Sequence, residues 1–243
     1  MDLFEQHMHC LIRQLPVMAV WKNLNLELQS VSEFSLPLVG FKNTDDLIGL
    51  TDYDMKCEAV SLADHFRAQD QKVISEKTNV ISLDIARYAD GEVYIIYSIK
   101  SPLYDTNAQL RGSFGYSVML EPEIINILNA HLCEENIFIP KSTPVNKIVQ
   151  NSYQLTNQFG SKKLSPRQAE CLFFLMRGKS IKTIASTLKL STRTIEFYID
   201  QLKCKYNCIS RNQLIDLAIT NGFLNVFPSS LLKSRLIEGK LSC

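Results

Sequence analysis

Apolar and polar positions repeat with two different periods along the 243 residues, and the change of period divides the chain. Before residue 121, apolar residues recur at about every second position in five short stretches, the spacing of half-buried β-strands. Residues 22–25 and the Asp90-Gly91 pair supply turns, the latter because glycine accepts positive φ without penalty. The pattern predicts strands over residues 16–23, 26–31, 80–88, 93–104 and 112–120.

Helical spacing fills the gap between the second and third predicted strands. Residues 32–38 and 43–55 predict brief helices, and residues 61–79 predict an amphipathic helix. Two strands, small helices and three strands follow one another through the segments MAVWKN, GLTDYDM, FRAQDQKVI, ADGEVYIIYSIKSPLYD and GSFGYSVML. Over about Pro16 to Leu120 this order resembles a PAS domain, which implies a sensory or dimerisation module.

Four helix-start signals lie within residues 164–219, where the period becomes helical. Each signal is a serine at an N-cap position, and a glutamine three residues after the first and the last serine completes a capping box. The pattern predicts four short helices with tight connections, a helix-turn-helix bundle. The serines are Ser165, Ser180, Ser191 and Ser210, the glutamines are Gln168 and Gln213, and the glycines that can end the first and last helices are Gly178 and Gly222.

Charge separates the same two parts of the chain. Residues 1–161 contain 12 Lys and Arg against 20 Asp and Glu, whereas residues 162–243 contain 14 against 5. The net charge of the whole chain, +1, hides this division. An acidic half and a basic half predict two modules, the second with a polyanionic partner.

The third predicted helix of the basic half has the features of a DNA-reading helix. Ile195, Ile199 and Leu202 form an apolar stripe that would hold it against the other helices, so its polar side would face outward. Its positive N-terminus can meet phosphates, and a helix fits the major groove of duplex DNA. We therefore predict double-stranded DNA as the partner.

The segments LSPRQAECL, GKSIKTIA, LKLSTRTIEFYIDQLKCK and SRNQLI resemble the DNA-binding domain of LuxR-type transcriptional regulators over about Leu164 to Ala218. The resemblance implies a buried glutamate at Glu170 and base-reading positions at Glu196, Phe197 and Asp200. The two acids can accept a hydrogen bond from cytosine N4, or they can be solvated or pair with a lysine one turn away. The predicted DNA-contact residues are Ser191, Thr192, Arg193, Thr194, Glu196, Phe197, Asp200, Lys203, Lys205 and Lys182. The fourth helix is the dimer surface in this family, through Leu214, Ile215, Leu217 and Ala218, although simple core packing also explains apolar residues there.

The predicted fold class is α+β, a PAS-like antiparallel sheet domain followed by an all-α, four-helix LuxR-type domain. The predicted domains are a PAS-like sensory or dimerisation domain (1–120), a linker helix and connection (121–160), the helix-turn-helix domain (161–221) and a C-terminal tail (222–243). We expect a homodimeric, sequence-specific transcriptional regulator whose DNA binding is controlled by the PAS-like module. Its signal, a small molecule or a protein, is not defined by the sequence, and we expect no cofactor.

An acyl-homoserine-lactone receptor is the alternative, because such proteins have a similar length and the same DNA-binding end. Their sensory domain carries a spaced set of Trp, Tyr, Asp and Trp, whereas the single tryptophan of this chain, Trp21, lies outside that pattern. A third hypothesis is a helix-turn-helix that binds another protein, which loss of the basic face would favour. That face is retained here.

Other chemistry has little support. No nucleophile elbow, P-loop or metal-hydrolase motif is present, so we expect no enzymatic activity. His7, His9 and Cys10 lack a fourth ligand at zinc-site spacing, and His65, near the iron-ligand position of haem-binding PAS domains, has polar neighbours. Aromatic residues of the first half would be core or would line a ligand cavity: Trp21, Phe34, Phe41, Tyr88, Tyr94, Tyr97, Phe114 and Tyr116.

The sequence also bears on cellular location. Acidic residues stand near the start where a secretory leader would have basic ones, and no apolar run approaches the length of a membrane span. Seven cysteines without C-x-x-C spacing fit reduced thiols. We expect a cytoplasmic protein without membrane contact.

Overall fold

The computed structural model describes residues 2–120 and 150–232. Its contacts divide the chain into two compact units, the first including residues 2–120 and 150–152 and the second including residues 153–232. Residues 121–149 of the predicted linker helix and connection and residues 233–243 of the predicted tail lie outside the described residues. No helix in the described ranges is both long and apolar enough to cross a membrane.

The first unit is built on a five-stranded antiparallel sheet with the order β2-β1-β5-β4-β3. Two strands, short helices, one long helix and three strands follow one another along the chain, which confirms the predicted PAS-like order. The elements are α1 (Leu3–Arg13), β1 (Met18–Lys22), β2 (Leu28–Val31), α2 (Leu36–Val39), α3 (Ala63–Glu76), β3 (Val80–Arg87), β4 (Val93–Tyr104) and β5 (Leu110–Met119), with 3₁₀ helices at Glu33–Ser35, Thr44–Leu47, Asp52–Asp54 and Glu58–Leu62.

The two faces of the sheet have different roles because successive strand residues point to opposite sides. In β1, Trp21 packs with Ile12 of α1 in one apolar cluster. Its neighbours Val20 and Lys22 line a cavity instead. Helix α3 contacts β3, β4 and β5.

Two details of the first unit differ from the sequence predictions. Lys22, which the predicted strand 16–23 and the predicted turn 22–25 share, is the last residue of β1. It is buried because it has acidic partners that are distant in sequence. Of the aromatic residues considered for a cavity, Tyr88 lines it, whereas Phe34 and Tyr116 are exposed. Strand alternation alone could not show which aromatic residues would be covered by α1 and which by the helices on the other face.

The second unit contains the four predicted helices, α4 (Pro166–Met176), α5 (Ile181–Leu188), α6 (Thr192–Tyr206) and α7 (Arg211–Thr220). All four predicted serines cap them, since each side chain accepts a hydrogen bond from the backbone N–H three residues later. One detail differs: the Gln213 side chain accepts from the N–H of Ile209, one residue before the cap, and not from that of Ser210. The helical, LuxR-type character of this unit is confirmed.

Short strands that the sequence did not predict surround this bundle. They are β6 (Asn151–Leu155), β7 (Gln158–Phe159), β8 (Lys162–Lys163) and β9 (Val226–Phe227). Leu155 of β6 pairs in parallel with Phe227, and β7 forms an antiparallel pair with β8. Phe159 and Phe227 are fully buried, and their rings pack edge-on against Phe223 and Phe173, respectively. The start of the predicted tail therefore contributes to the core of the second unit.

Candidate nucleic-acid interface and ligand cavity

Helices α5 and α6 form the helix-turn-helix, joined by only three residues, 189–191. Lys189 has φ 56°, the left-handed conformation that ends α5, and the N–H of Leu190 donates to the carbonyl of Ala185. Ser191 then caps α6, with its Oγ 3.1 Å from the backbone nitrogen of Thr194. The short connection fixes the direction in which α6 leaves the bundle.

Helix α6 has one buried face and one exposed face. Ile195, Ile199 and Leu202 are buried, as the sequence predicted. The opposite stripe recurs at three- and four-residue spacing, so it forms one continuous surface along the helix. Its exposed residues are Arg193, Glu196, Phe197, Asp200 and Cys204.

The predicted contact residues differ in how far they are already engaged. Asp200 pairs with Lys203 at 2.7 Å, one turn away on α6. The ammonium of Lys205 donates to the carbonyl of Lys163 at 2.7 Å, so it is held toward the β8 strand. Among the described residues, the carboxylate of Glu196 has neither an ion-pair nor a hydrogen-bond partner. Lys182, in the first turn of α5, is exposed.

Glu170 is buried on α4, which agrees with its expected position, and accepts from Arg167 of the same helix at 2.8 Å. Two partly buried hydrogen bonds tie α6 to the rest of its unit. Gln168 of α4 donates to Gln201 of α6 at 2.9 Å. At the far end of α6, the hydroxyl of Tyr206 donates to the carbonyl of Phe159, and burial raises the pKa of Tyr206 to about 12. The donor therefore stays protonated at all physiological pH values.

The first unit contains a partly open cavity of about 130 Å³, lined by residues of the sheet, of the segment between β2 and α3, and by Phe66 of α3. One part of its wall is apolar and includes Val20, Leu28 and Val31. The other part is polar and includes Lys22, Asp52, Asp84, Ser98 and Lys100.

Two lysines and two aspartates form a closed ionic cluster at the polar wall. The ammonium of Lys22 lies 2.6 Å from Asp52 and 2.7 Å from Asp70, and that of Lys100 lies 2.8 Å from Asp70. All four side chains are buried. The most exposed of them, Lys100, has 11% of its side-chain area accessible. Because the charges balance, the cluster presents no net charge to the cavity.

The cluster is ionised. Burial alone would raise the pKa of Asp70, but the ammonium groups of Lys100 and Lys22 lower it to about 2. Burial would lower the pKa of Lys22, but Asp70 and Asp52 raise it above its ordinary value. Sequence reasoning missed this cluster. The available signal was one lysine in each of two strands, Lys22 and Lys100, at positions whose alternation points inward. Alternation alone does not show whether such a lysine is buried or marks the end of the strand.

A third buried carboxylate of the first unit, Asp84 of β3, is held by hydroxyl groups. It accepts hydrogen bonds from Ser82 at 3.0 Å, Ser98 at 2.8 Å and Ser152 at 2.5 Å. Asp84 and Ser98 also line the cavity, so this acceptor lies within reach of an enclosed molecule.

The described residues contain no group of three or more His, Cys, Asp or Glu side chains that could hold a metal ion. On α1, His7 and Cys10 are exposed. His65 lies on α3 outside the cavity wall.

Comparison with known proteins places the second unit in a family. Residues 162–218 match the bacterial regulatory proteins of the luxR family. A probable transcriptional regulator, ycf29, of Pyropia yezoensis is 31% identical over 117 residues, which cover 47% of this chain and 50% of that protein. The transcriptional activator LuxR of Aliivibrio fischeri is 27% identical over 133 residues, covering 54% of this chain and 51% of that protein.

Among solved structures, the VqmA chain in a complex from Vibrio cholerae with a ligand and DNA is 29% identical to this chain, with a TM-score of 0.45. The match covers 93% of this chain and 92% of that chain. The chain spans about half the length of the curated relatives described above. These relatives are transcriptional regulators and not enzymes, in agreement with the sequence prediction. Residues 162–218 are therefore a LuxR-type helix-turn-helix domain, which follows a domain with the PAS order of elements.

Proposed function

We propose that the chain is a sequence-specific DNA-binding transcriptional regulator in which α6 lies in the major groove. The observation that carries the proposal is the exposed stripe of α6, which runs opposite its buried residues and directly follows the short turn from α5. In helix-turn-helix proteins the second helix reads the major groove through its N-terminal residues. The excess of basic over acidic residues in 162–243 supports a polyanionic partner.

The exposed residues divide into two roles. Ser191, Thr192, Arg193 and Thr194 surround the N-terminus of α6, where backbone N–H groups and side-chain donors favour phosphate. Lys182, at the N-terminus of α5, provides a further positive charge. The remaining predicted residues of the DNA surface are the base-reading candidates Glu196, Phe197 and Asp200 and the phosphate candidates Lys203 and Lys205.

A homodimer belongs to the proposal. On α7, Leu214 and Ala218 are buried, so packing accounts for them. Ile215 and Leu217 are half-exposed, and Ile219 is exposed. Ile215 and Ile219 are one turn apart on the same side of α7, whereas Leu217 lies on the other side of the buried residues. The Ile215–Ile219 pair supports an α7–α7 contact, and a two-fold dimer would place two α6 helices in successive major grooves.

Duplex binding across a salt series tests the phosphate contacts. Lys182→Ala should weaken binding to every duplex by a similar factor and reduce the slope of log K against log salt by about 1, because one counterion fewer is released. Lys42→Ala, which removes an exposed lysine of the first unit, is the matched control and should leave the slope unchanged. Equal slopes for the wild type and the Lys182 variant would show that Lys182 does not contact a DNA phosphate.

We further propose that the cavity of the first unit binds a small molecule that controls DNA binding. Its volume of about 130 Å³ is close to that of an engineered 150 Å³ cavity that accepts benzene, so a molecule of one ring would fit. The balanced Lys–Asp cluster and the hydroxyl-held Asp84 favour an uncharged ligand with polar substituents.

Thermal unfolding with a panel of uncharged one-ring compounds, phenol being the first probe, tests this cavity. A ligand that binds the folded chain and not the unfolded chain stabilises it by RT ln(1 + [L]/Kd), so the Tm rises with ligand concentration. Val39→Met, which enlarges a half-buried residue of the cavity wall, should abolish the shift while leaving the protein folded. A shift of the same size in the Val39→Met variant would place binding elsewhere.

A further inference from the structure

We propose that Phe197 reads thymine, by placing its ring against the C5-methyl group of that base in the major groove. This inference rests on the proposed function, because it assigns one base preference within the DNA surface of α6. The juxtaposition that carries it is an exposed aromatic ring in the middle of a charged stripe.

The exposure of Phe197 is unusual for its residue type. The side chain is 57% exposed, and within the described part of the second unit it is the only exposed aromatic residue. Its ring contact is with Tyr198, at a centroid distance of 6.0 Å and a tilt of 53°, which leaves the outer face of Phe197 uncovered. Burying such a ring against a partner would recover the free energy of removing its apolar surface from water.

The position of Phe197 indicates what that partner is. It lies in the second turn of α6, next to Glu196 in sequence and one turn from the exposed residues Arg193 and Asp200. An apolar protein surface would have to cover these charged neighbours as well, at a cost in desolvation. Duplex DNA suits both the apolar ring and its charged neighbours, because the thymine methyl provides an apolar contact among the hydrogen-bonding base edges of the major groove.

The neighbours of Phe197 make the assignment more specific. Asp200 is paired with Lys203 at 2.7 Å, so its carboxylate is already engaged. Glu196 has no partner among the described residues and can accept from the amino group of cytosine. The stripe therefore offers one reader for thymine and one for cytosine, and α6 would favour adjacent pyrimidines on one strand.

A cycle that combines protein and DNA changes tests the contact. The full chain is first used to select its site from randomised duplexes, and each thymine of that site is then replaced by uracil, which lacks only the C5-methyl group. Binding is measured for the wild type, Phe197→Ala and Phe197→Leu, with Leu24→Ala as the control, since Leu24 is an exposed apolar residue of the first unit. Because Phe197 is exposed, its variants should unfold at the wild-type temperature.

We expect one thymine in each half-site at which uracil weakens wild-type binding about fourfold, the effect of losing one buried methyl group. Phe197→Ala should bind the thymine and uracil duplexes equally, Phe197→Leu should keep part of the difference, and Leu24→Ala should keep all of it. Three results would overturn the assignment: a selected site without thymine, equal wild-type binding to every uracil duplex, or an undiminished uracil effect in Phe197→Ala. None of them would contradict the proposed function as a DNA-binding regulator. Failure to select any site would overturn the proposed function itself.

Discussion

At the scale of single residues, the first unit depends on Asp70, which lies at the centre of its buried cluster. Asp70 accepts from Lys22, Lys100 and the hydroxyl of Ser113, the last at 2.9 Å. These partners come from three strands, β1, β4 and β5, while Asp70 belongs to α3. The sequence could predict the helix that carries Asp70 but not the cluster, because the lysines that bind Asp70 are 48 and 30 positions away from it.

Asp70→Asn tests whether the cluster holds the unit together. The substitution removes one charge and leaves two buried ammonium groups with a single carboxylate, so we expect the free energy of unfolding to fall by about 3–5 kcal/mol. Glu76→Gln removes an exposed carboxylate from the same helix and should change it by less than about 0.5 kcal/mol. Denaturant unfolding measures both values, and similar small losses would show that the cluster contributes little.

The low pKa of Asp70 predicts how this contribution depends on pH. Its folded pKa, about 2, lies below the ordinary value of 3.8, so the unfolded chain takes up the proton first as the pH falls. The stabilisation is therefore complete above about pH 5 and is lost progressively between about pH 4 and pH 2. The difference in unfolding free energy between the wild type and Asp70→Asn should shrink over that interval. A difference that stayed constant down to pH 2 would contradict the ionised cluster.

At the scale of elements, helix ends were predictable and short strands were not. Caps are local, so serines at fixed offsets identified the starts of α4, α5, α6 and α7. Asn207 ends α6 with φ 56°, a conformation that asparagine tolerates. Strands β7, β8 and β9 have two residues each, too few to show any period. Their place depends on phenylalanines that meet only after the chain has folded.

A glycine in β5 illustrates a constraint that only the structure reveals. Gly112 has φ +137°, and a Cβ there would lie 1.9 Å from the carbonyl oxygen of Lys22. Gly112→Ala should therefore lower the free energy of unfolding by more than about 2 kcal/mol, through both backbone strain and steric overlap.

Gly91→Ala separates the two causes, because Gly91 also has a positive φ, +86°, but a Cβ there would meet nothing within 4 Å. We expect it to cost about 1 kcal/mol, the range of backbone strain alone. Thermal or urea unfolding of the two variants gives the comparison. Equal losses would mean that β5 shifts readily away from β1.

At the scale of the whole molecule, the division of charge and period seen in the sequence corresponds to two units with different chemistry. The first unit has a neutral buried ionic cluster beside a small cavity, and the second has α6 with an exposed polar stripe on a basic domain. The sequence indicated both kinds of module and placed most of the proposed DNA-contact residues on α6. It could not indicate which of those residues are already paired, since the pairs depend on rotamers and on distant carbonyl groups.

The measurement that tests this account most directly is selection of bound duplexes from a randomised pool by the full chain, in parallel with Glu196→Ala, at one fixed salt concentration. We predict that the wild type enriches a two-fold symmetric site with half-sites about one helical turn apart, and that Glu196→Ala loses the preference at one position of each half-site. If the wild type enriched no sequence, the proposed function would be wrong, and if the variant enriched the same sequence, Glu196 would not read a base.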